Sequence, residues 1–553
     1  MPEARRNRTV RRGGGALVLA AAVAATALLT ATVRPATVRP GTMGPVPVVT
    51  PANAHAGADG LVVSASRGGA LWTADGVRGR LEPRPPGPVE VLPRADHRHS
   101  AALITVPSAV QWRPPAPGLP SAHVLSMTEV DEVGRAGPLR MHTTLFTDHG
   151  ELPVVSVLMD DGALLDPDTG LHVVGHAVMA PTDLMRDMYQ GDGRWWKYPG
   201  NYMFRGRAWE RSALVQVIAP DGSEVVQAPT GVRIHGNVTR GFPQKAFRLV
   251  LREPLPVDLF GDGTGTEVVL LRSAGNDQPK AFMRDPLLQG LCDGLPLEVA
   301  RSRPCVVYVN GAYWGLSYMQ QRIDEEEIAR RHGLSKRDVA MVEVAYDDLL
   351  GPRAEAKRFR ELTALVKAWD GRGTEVPERV RAQVDVEGFM AYMAALLMAG
   401  NQDWPYHNVK VWRYTGERGA GRPREGRWNF ILGDTDLALG AHAAPGQDLL
   451  AVAERNARWP VAAMFLGMMR SPELKAIFVD QVRALHQDRL AQGNMLAALA
   501  ALEARLAPEM PRHTARWRKP ASPAEWAAHV AGVRRYITAR DRTVARWLEA
   551  QAP

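Results

Sequence analysis

Residues 210–252 alternate apolar and polar positions through ALVQVIAP, DGSEVVQAPTGVRIHG and KAFRLVLR. A period of two predicts half-buried strands, and tight turns such as Asp221–Gly222 predict antiparallel pairing. RPCVVYVNGAYWGLSYMQ (303–320) predicts a second pair, turning at Asn310–Gly311. The period then lengthens. AFMRDPLLQGLCDGL (281–295) predicts a helix with Pro286 in its first turn. IDEEEIARRHGL (323–334) predicts another, with acids in its first turn and basic residues in its last, as the helix dipole favours. From 352 the chain is mostly helical, and VEGFMAYMAALLMA (386–399) is apolar nearly all round, as a buried helix is. One hairpin, NVKVWRY (408–414) and RWNFILG (427–433), interrupts this helical half.

Upstream, short runs such as GLVVSAS, ALITV and LRMHTTLFT lie between Pro/Gly clusters such as EPRPPGP. They predict a small β-sandwich-like module over 57–150 that serves as a spacer or an interaction unit. The fold class expected is α+β. The main domain is expected over 151–553, with a β-rich part at 151–345 and a helical part at 346–553. Asp160, Asp161 and Asp166–Gly170 lack the calcium-loop spacing D-x-D-x-D-G-x5-E, so turn chemistry is the expectation there.

The first 56 residues change how charge is read. Arg5, Arg6, Arg8, Arg11 and Arg12 precede an uncharged, Ala-rich run at 16–33, and Ala54 and Ala56 fit a small-x-small cleavage pattern. This predicts an export signal, with membrane anchoring through 16–33 as the alternative. No Cys follows the apolar run closely, which excludes a lipoprotein. Seven Arg and one Glu before residue 57 account for +6 of the formal net charge of +8. The remainder is nearly balanced and holds no long Lys/Arg run, so no nucleic-acid partner is expected. The two cysteines, Cys292 and Cys305, could form a bridge in an oxidising compartment or remain two buried thiols. No CxxC or HExxH zinc spacing is present.

Three polar clusters carry candidate chemistry. In GVRIHGNVTRGFPQKAFRLVL (231–251), Gly236 and Gly241 would let backbone N–H groups approach a phosphate, with Lys245 as a neutralising point charge. Taken alone, a glycine-rich hairpin loop with a solvated lysine explains this stretch better. In NQDWPYHNVKVWRY (401–414), Asn408 follows Asp403 by five places. In GDTDLALG (433–440), Asp434 and Asp436 close an apolar strand, where they either share a divalent cation or form a turn and helix cap. Their order is more informative than any one cluster. A glycine loop with a strand Lys, then Asp with Asn at plus five, then Asp at the next strand end, is the succession of a protein kinase. HRD, DFG and VAIK are absent, which rules out an ordinary protein kinase.

On LPVVSV (152–157), GVRIHGNVTRGFPQKAFRL (231–249), VVYVNGAYWGLSYMQQRID (306–324), NQDWPYHNVKVWR (401–413) and WNFILGDTDLALG (428–440), the chain resembles the CotH kinase family. The resemblance runs over about 151–553, and PEMPRHTARW (508–517) is similar to longer bacterial members. It implies a divergent, two-lobed, protein-kinase-like fold and an atypical kinase using ATP with Mg²⁺ or Mn²⁺ to phosphorylate Ser or Thr of a protein. It also implies residue roles. Asp403 would be catalytic; Lys245, Arg240, Asn237 and Gln321 would bind nucleotide; Asn408, Asp434 and Asp436 would hold metal. Gln321 stands where many members have Glu, and His407 where members often have Asn. Asp277 and Asp285 are the candidate acidic partners of Lys245. An exported monomer acting on an envelope or secreted protein is expected. The competing expectation is a non-catalytic surface protein that keeps the fold. Hydrolysis or nucleotidyl transfer on the same acids is a third. A carboxylate-pair glycosidase is disfavoured, because Asp434 and Asp436 are too close in sequence to flank a sugar.

Overall fold

A computed structural model describes residues 106–109, 112–131, 136–176, 200–263, 265–345, 348–417 and 426–551, with short stretches between 48 and 93. The export or anchor segment at 16–33 lies outside them. The molecule mixes α and β structure, as expected, with twelve α-helices among the described residues.

The upstream strands are β1 (Val48–Thr50), β2 (Leu61–Ser64), β3 (Ala70–Asp75), β4 (Glu82–Pro83), β5 (Val89–Val91), β6 (Ala122–Val130) and β7 (Arg140–Leu145). They form a sheet of order β1-β2-β5 and another of order β4-β3-β6-β7. Val63, Leu125 and Met127 make a small core with Val49, Val89 and Val91 between the two. Val124 and Met141 instead pack on Leu158 and Leu214 of the next unit, so the four-stranded sheet is docked there.

That unit is a closed barrel. Its strands are β8 (Val154–Met159), β9 (Arg211–Ile218), β10 (Glu224–His235), β11 (Ala246–Leu251) and β12 (Val268–Arg272). After the two-residue β13 (Glu298–Val299) come β14 (Ser302–Val309) and β15 (Ala312–Gln321). The order is β10-β11-β12-β15-β14-β8-β9, antiparallel except where β14 meets β8. The predicted turns are present: Gly222 has φ 85°, and Asn310 and Gly311 have φ 49° and 77°. Alternate residues fill the interior, among them Val232, Ile234, Phe247, Leu249, Val269 and Leu271. Their sequence neighbours face outward.

β16 (Val339–Ala345), β17 (Asp348–Leu350), β18 (Val409–Tyr414) and β19 (Asn429–Leu432) join β13 in a sheet of order β13-β19-β18-β16-β17. The predicted hairpin is therefore β18–β19. Its neighbour β16 comes from the other side of the 345/346 division, so one sheet draws on both expected parts. The Val386–Met398 helix is buried on all sides, and the Pro460–Met468, Pro472–Gln487 and Pro523–Glu549 helices contribute to the same core. The helix expected at 281–295 spans only Arg284–Leu291, with Pro286 in its first turn as expected, and the Glu325–Arg331 helix carries its charges as expected. Asp160 caps the Asp161–Leu165 helix, and Asp166 accepts from the Asp168 and Thr169 amides, so these acids do turn chemistry. Cys292 and Cys305 are free, buried thiols, each pushed up to about 12 by burial. No helix among the described residues is long and apolar enough to cross a membrane.

Candidate active site

The Val386–Met398 helix delivers the chain into the Asp403 loop. Asn401 Oδ1 accepts the Asp403 amide at 3.0 Å. Trp404 is buried, and its indole N–H donates to the Tyr392 hydroxyl at 2.9 Å, which pins the turn. Asp403 then accepts Asn408 Nδ2 on Oδ2 at 2.8 Å and a side-chain hydrogen bond from Tyr406, and His407 Nε2 lies 3.0 Å from its Oδ1. With its amide nitrogen spent on Asp403, Asn408 keeps Oδ1 for coordination. Asn408 has φ 60° and Asp434 has φ 44°. A left-handed backbone is uncommon for residues other than glycine and tends to persist where function holds it.

β18 and β19 pair through Val409↔Leu432, which brings the end of β19 beside the start of β18. Asp434 is thereby close enough for its charge to act on Asp403. Asp436 is buried and accepts the Asn276 amide on Oδ2 at 2.6 Å. Gly275, at φ 58°, permits that approach, since a Cβ there would collide with the Asp436 carboxylate. Between the two acids, Thr435 donates its N–H and hydroxyl to Asp285 Oδ1 at 2.8 and 3.0 Å. Asp285, on the Arg284–Leu291 helix, also accepts from Gln320 of β15 at 3.0 Å.

Arg272, at the end of β12, faces these acids. It pairs closely with Asp434 and lies 3.7 Å from both Asp285 and Asp436. Burial alone would depress its pKa, but the three carboxylates more than reverse this and hold it protonated. One cation does not neutralise the cluster. Burial and the Asp434 charge push Asp403 up to about 7 and hold Asp436 well above the usual carboxylate range. Arg248 of β11 lies on the same outward face, two strand positions from the Arg272 level, and directly opposite Arg233 of β10. Arg233 is held by Glu210, whereas Arg248 Nε is buried without a hydrogen-bond partner. Burial and the facing Arg233 lower the Arg248 pKa. A basic sheet face thus stands opposite the acids.

The structure brings together Asp403, Asn408, Asp434 and Asp436. It does not bring Lys245, Arg240, Asn237 or Gln321 to them. Lys245 precedes β11 on the same side as Phe247, inside the barrel, and is 2 % exposed. Its ammonium donates to the Ser108 and Phe242 carbonyls at 2.7 and 2.8 Å and lies over the Tyr202 ring. Arg240 donates to the carbonyls of Gly236, Tyr202, Phe204 and Ile234, closing its own loop. Asn237 accepts from Arg205. Gln321 bridges Arg331 and Asp262. Nor is Lys245 partnered by an acid: Asp277 pairs with Arg284, and Asp285 with Arg272. The cation that faces the acids is instead Arg272. It was legible as an arginine closing the strand VVLLR ahead of a glycine turn, but no motif marked it.

The family model for CotH kinase protein matches residues 232–544, more than half of the chain. The chain belongs to the CotH kinase family. No curated protein matches it. The match covers the barrel strands from β10 onward, β16 to β19 and the closing helices. A kinase-like fold and a kinase-like activity are what this family membership supports.

A CotH-family kinase implies a divalent metal. Among the described residues, no three His, Cys, Asp or Glu side chains form a metal cage. The candidate donors here are instead two carboxylates and an amide oxygen. That set suits Mg²⁺ or Mn²⁺, which take few protein ligands and complete their shell with phosphate and water. The uncompensated charge that raises Asp403 and Asp436 is the kind a divalent cation relieves. The residues fit the ion.

Proposed function

We propose that the protein is an atypical kinase that moves the γ-phosphate of ATP to a Ser or Thr hydroxyl of a protein, with Mg²⁺ or Mn²⁺. The observation that carries this is the convergence of Asp403, Asn408, Asp434 and Asp436 opposite Arg272. Asn408, Asp434 and Asp436 would hold the metal, which supplies charge neutralisation to phosphate oxygens. Asp403, oriented by His407 and Asn408, accepts the proton that the acceptor hydroxyl loses as its oxygen bonds to phosphorus and ADP departs. Arg272 and the outward face of β10 to β12 offer guanidinium groups to the phosphates. The barrel and the helical half would act as the two lobes. The Arg-rich start and apolar run support export, so the acceptor would be an envelope or secreted protein met by a monomer.

One observation favours a second reading, a binding protein that keeps the fold. Lys245 and Arg240 spend their donors on backbone carbonyls, and Arg272 is already paired. Incubation of the full chain with γ-labelled ATP and Mg²⁺ or Mn²⁺ separates the two, beside Asp403→Ala and Asp434→Ala. The kinase transfers label, and both variants lose it. Transfer that persists in both variants sinks the site assignment. A wild-type chain that binds no nucleotide is the binding protein.

A further inference from the structure

The Pro523–Glu549 helix reaches under both acidic segments with two side chains. Arg540 is 5 % exposed and donates in two directions. Nε and Nη2 reach the Met398 and Leu397 carbonyls at 3.0 and 2.8 Å. These are among the last carbonyls of the buried helix that enters the Asp403 loop, and Leu397 also accepts the Gly400 amide at 3.2 Å. Nη1 reaches the Gln447 carbonyl and, at 3.3 Å, that of Pro445. Those belong to the segment that leaves the Asp434–Asp436 turn. One planar guanidinium thus joins the approach to one acid with the exit from the others.

Tyr536, one turn earlier, fills the gap between the same two segments. Its hydroxyl donates to the Ala399 carbonyl at 3.4 Å. Its ring packs where Gly400 and Gly440 lack side chains: a Cβ at Gly440 would sit 2.8 Å from it, and one at Gly400 would collide with the hydroxyl. Both glycines have positive φ, 64° and 78°. The Leu439 amide, donating to Ala399 at 2.9 Å, is the direct link between the segments.

We infer that Arg540 is a positioning residue that sets the spacing between the Asp403 loop and the Asp434–Asp436 turn, with Tyr536 as the spacer. The inference rests on the phosphotransfer reading, because spacing between a proton acceptor and a metal-holding turn matters only if they act on one substrate. Small misplacement of reacting groups is costly, on the order of a hundredfold in rate for about 1 Å. Arg540 touches no substrate, so its loss acts on turnover and not on nucleotide affinity.

The test compares full-length wild type with Arg540→Met, Arg540→Lys and Tyr536→Phe. Steady-state label transfer is measured at varied ATP, and amide hydrogen exchange on the same samples. Arg540→Met is expected to lower kcat by about 10- to 100-fold with KM for ATP within about twofold. Arg540→Lys restores part of it, and Tyr536→Phe, which keeps the ring, stays near wild type. Exchange should quicken in 397–403 and 438–447 and nowhere else. Unchanged kcat in folded Arg540→Met overturns the inference, as does a uniform rise in exchange. If Arg540→Met does not fold, Arg540→Gln carries the same comparison. If the wild type transfers no label, the phosphotransfer reading fails by itself. Exchange then decides the spacer role: loosening confined to both segments supports it, and loosening of one alone overturns it.

Discussion

Asp403 is where the site's electrostatics are most exposed to measurement. Its carboxyl is raised to about 7 by burial and by Asp434. In the metal-free protein the folded state therefore holds a proton that the unfolded chain releases near pH 4. The resulting stability is fully present below about pH 4 and is lost as pH rises through about 7. A divalent ion held at Asp434 offsets the charge that favours that proton, so affinity runs the other way. Mn²⁺ titration followed by calorimetry should give tighter binding at pH 8 than at pH 6, with proton release. Equal affinity at both would show that Asp403 and Asp434 do not share a site with the ion. Asp403→Asn keeps the volume and removes the proton acceptor. It should cut label transfer by ~10²–10⁴-fold while ATP analogue binding stays within a few-fold. At this scale the acids were legible because Asp403 and Asn408 sit in one short loop, and Asp434 and Asp436 in another. Lys245 stands away from these acids, and its own strand foretells that. Counting by twos from Phe247 puts Lys245 on the inward face, whereas the same count from Leu271 puts Arg272 outward.

Among the elements, the turn from β12 into the Arg284–Leu291 helix does the most for the acids. Gly275 lets the backbone come close enough for the Asn276 amide to reach Asp436. Gly275→Ala would cost roughly 1–2 kcal/mol for its left-handed φ alone. Because the new Cβ would also displace the Asp436 carboxylate, Mn²⁺ affinity should fall by more than the loss of stability accounts for. A variant with a lowered melting temperature but unchanged metal affinity would refute that link. Hairpins and capped helices were readable from sequence because each is closed by its own neighbours. Asn310–Gly311 turns β14 into β15, and acids and arginines bracket the Glu325–Arg331 helix. Closure of the barrel was not readable. It depends on β14 meeting β8 in parallel, about 150 residues apart in the chain, and periodicity carries no information about partners. The β16–β18 pairing escaped for the same reason.

On the scale of the whole molecule, the upstream sheets are not a free spacer. Arg140 pairs with Glu224, Gln227 bonds the Met141 backbone in both directions, and Thr143 meets Ser156. The deepest tie is Ser108, whose hydroxyl donates to the Pro243 carbonyl while its own carbonyl accepts from Lys245. Lys245 is thus a fastener between the upstream segment and the barrel mouth. Burial holds its pKa well below that of a free lysine, so the ammonium depends on those carbonyls and on the Tyr202 ring. Lys245→Met fills the same space apolarly but leaves the Ser108 and Phe242 carbonyls without their donor. A buried acceptor so stranded costs about 1–3 kcal/mol. Burying an ammonium is itself unfavourable, which offsets part of that loss. The variant should therefore unfold at lower urea by a modest margin and expose the 106–109 segment to protease. Its affinity for an ATP analogue should remain that of the wild type, since the ammonium points away from the acids. A phosphate-binding lysine makes the opposite prediction: affinity falls at least tenfold and protease resistance does not change. Measuring both quantities on one preparation decides between a fastener and a ligand. Only the fastener ties residues upstream of the family match to the stability of the domain that carries the site.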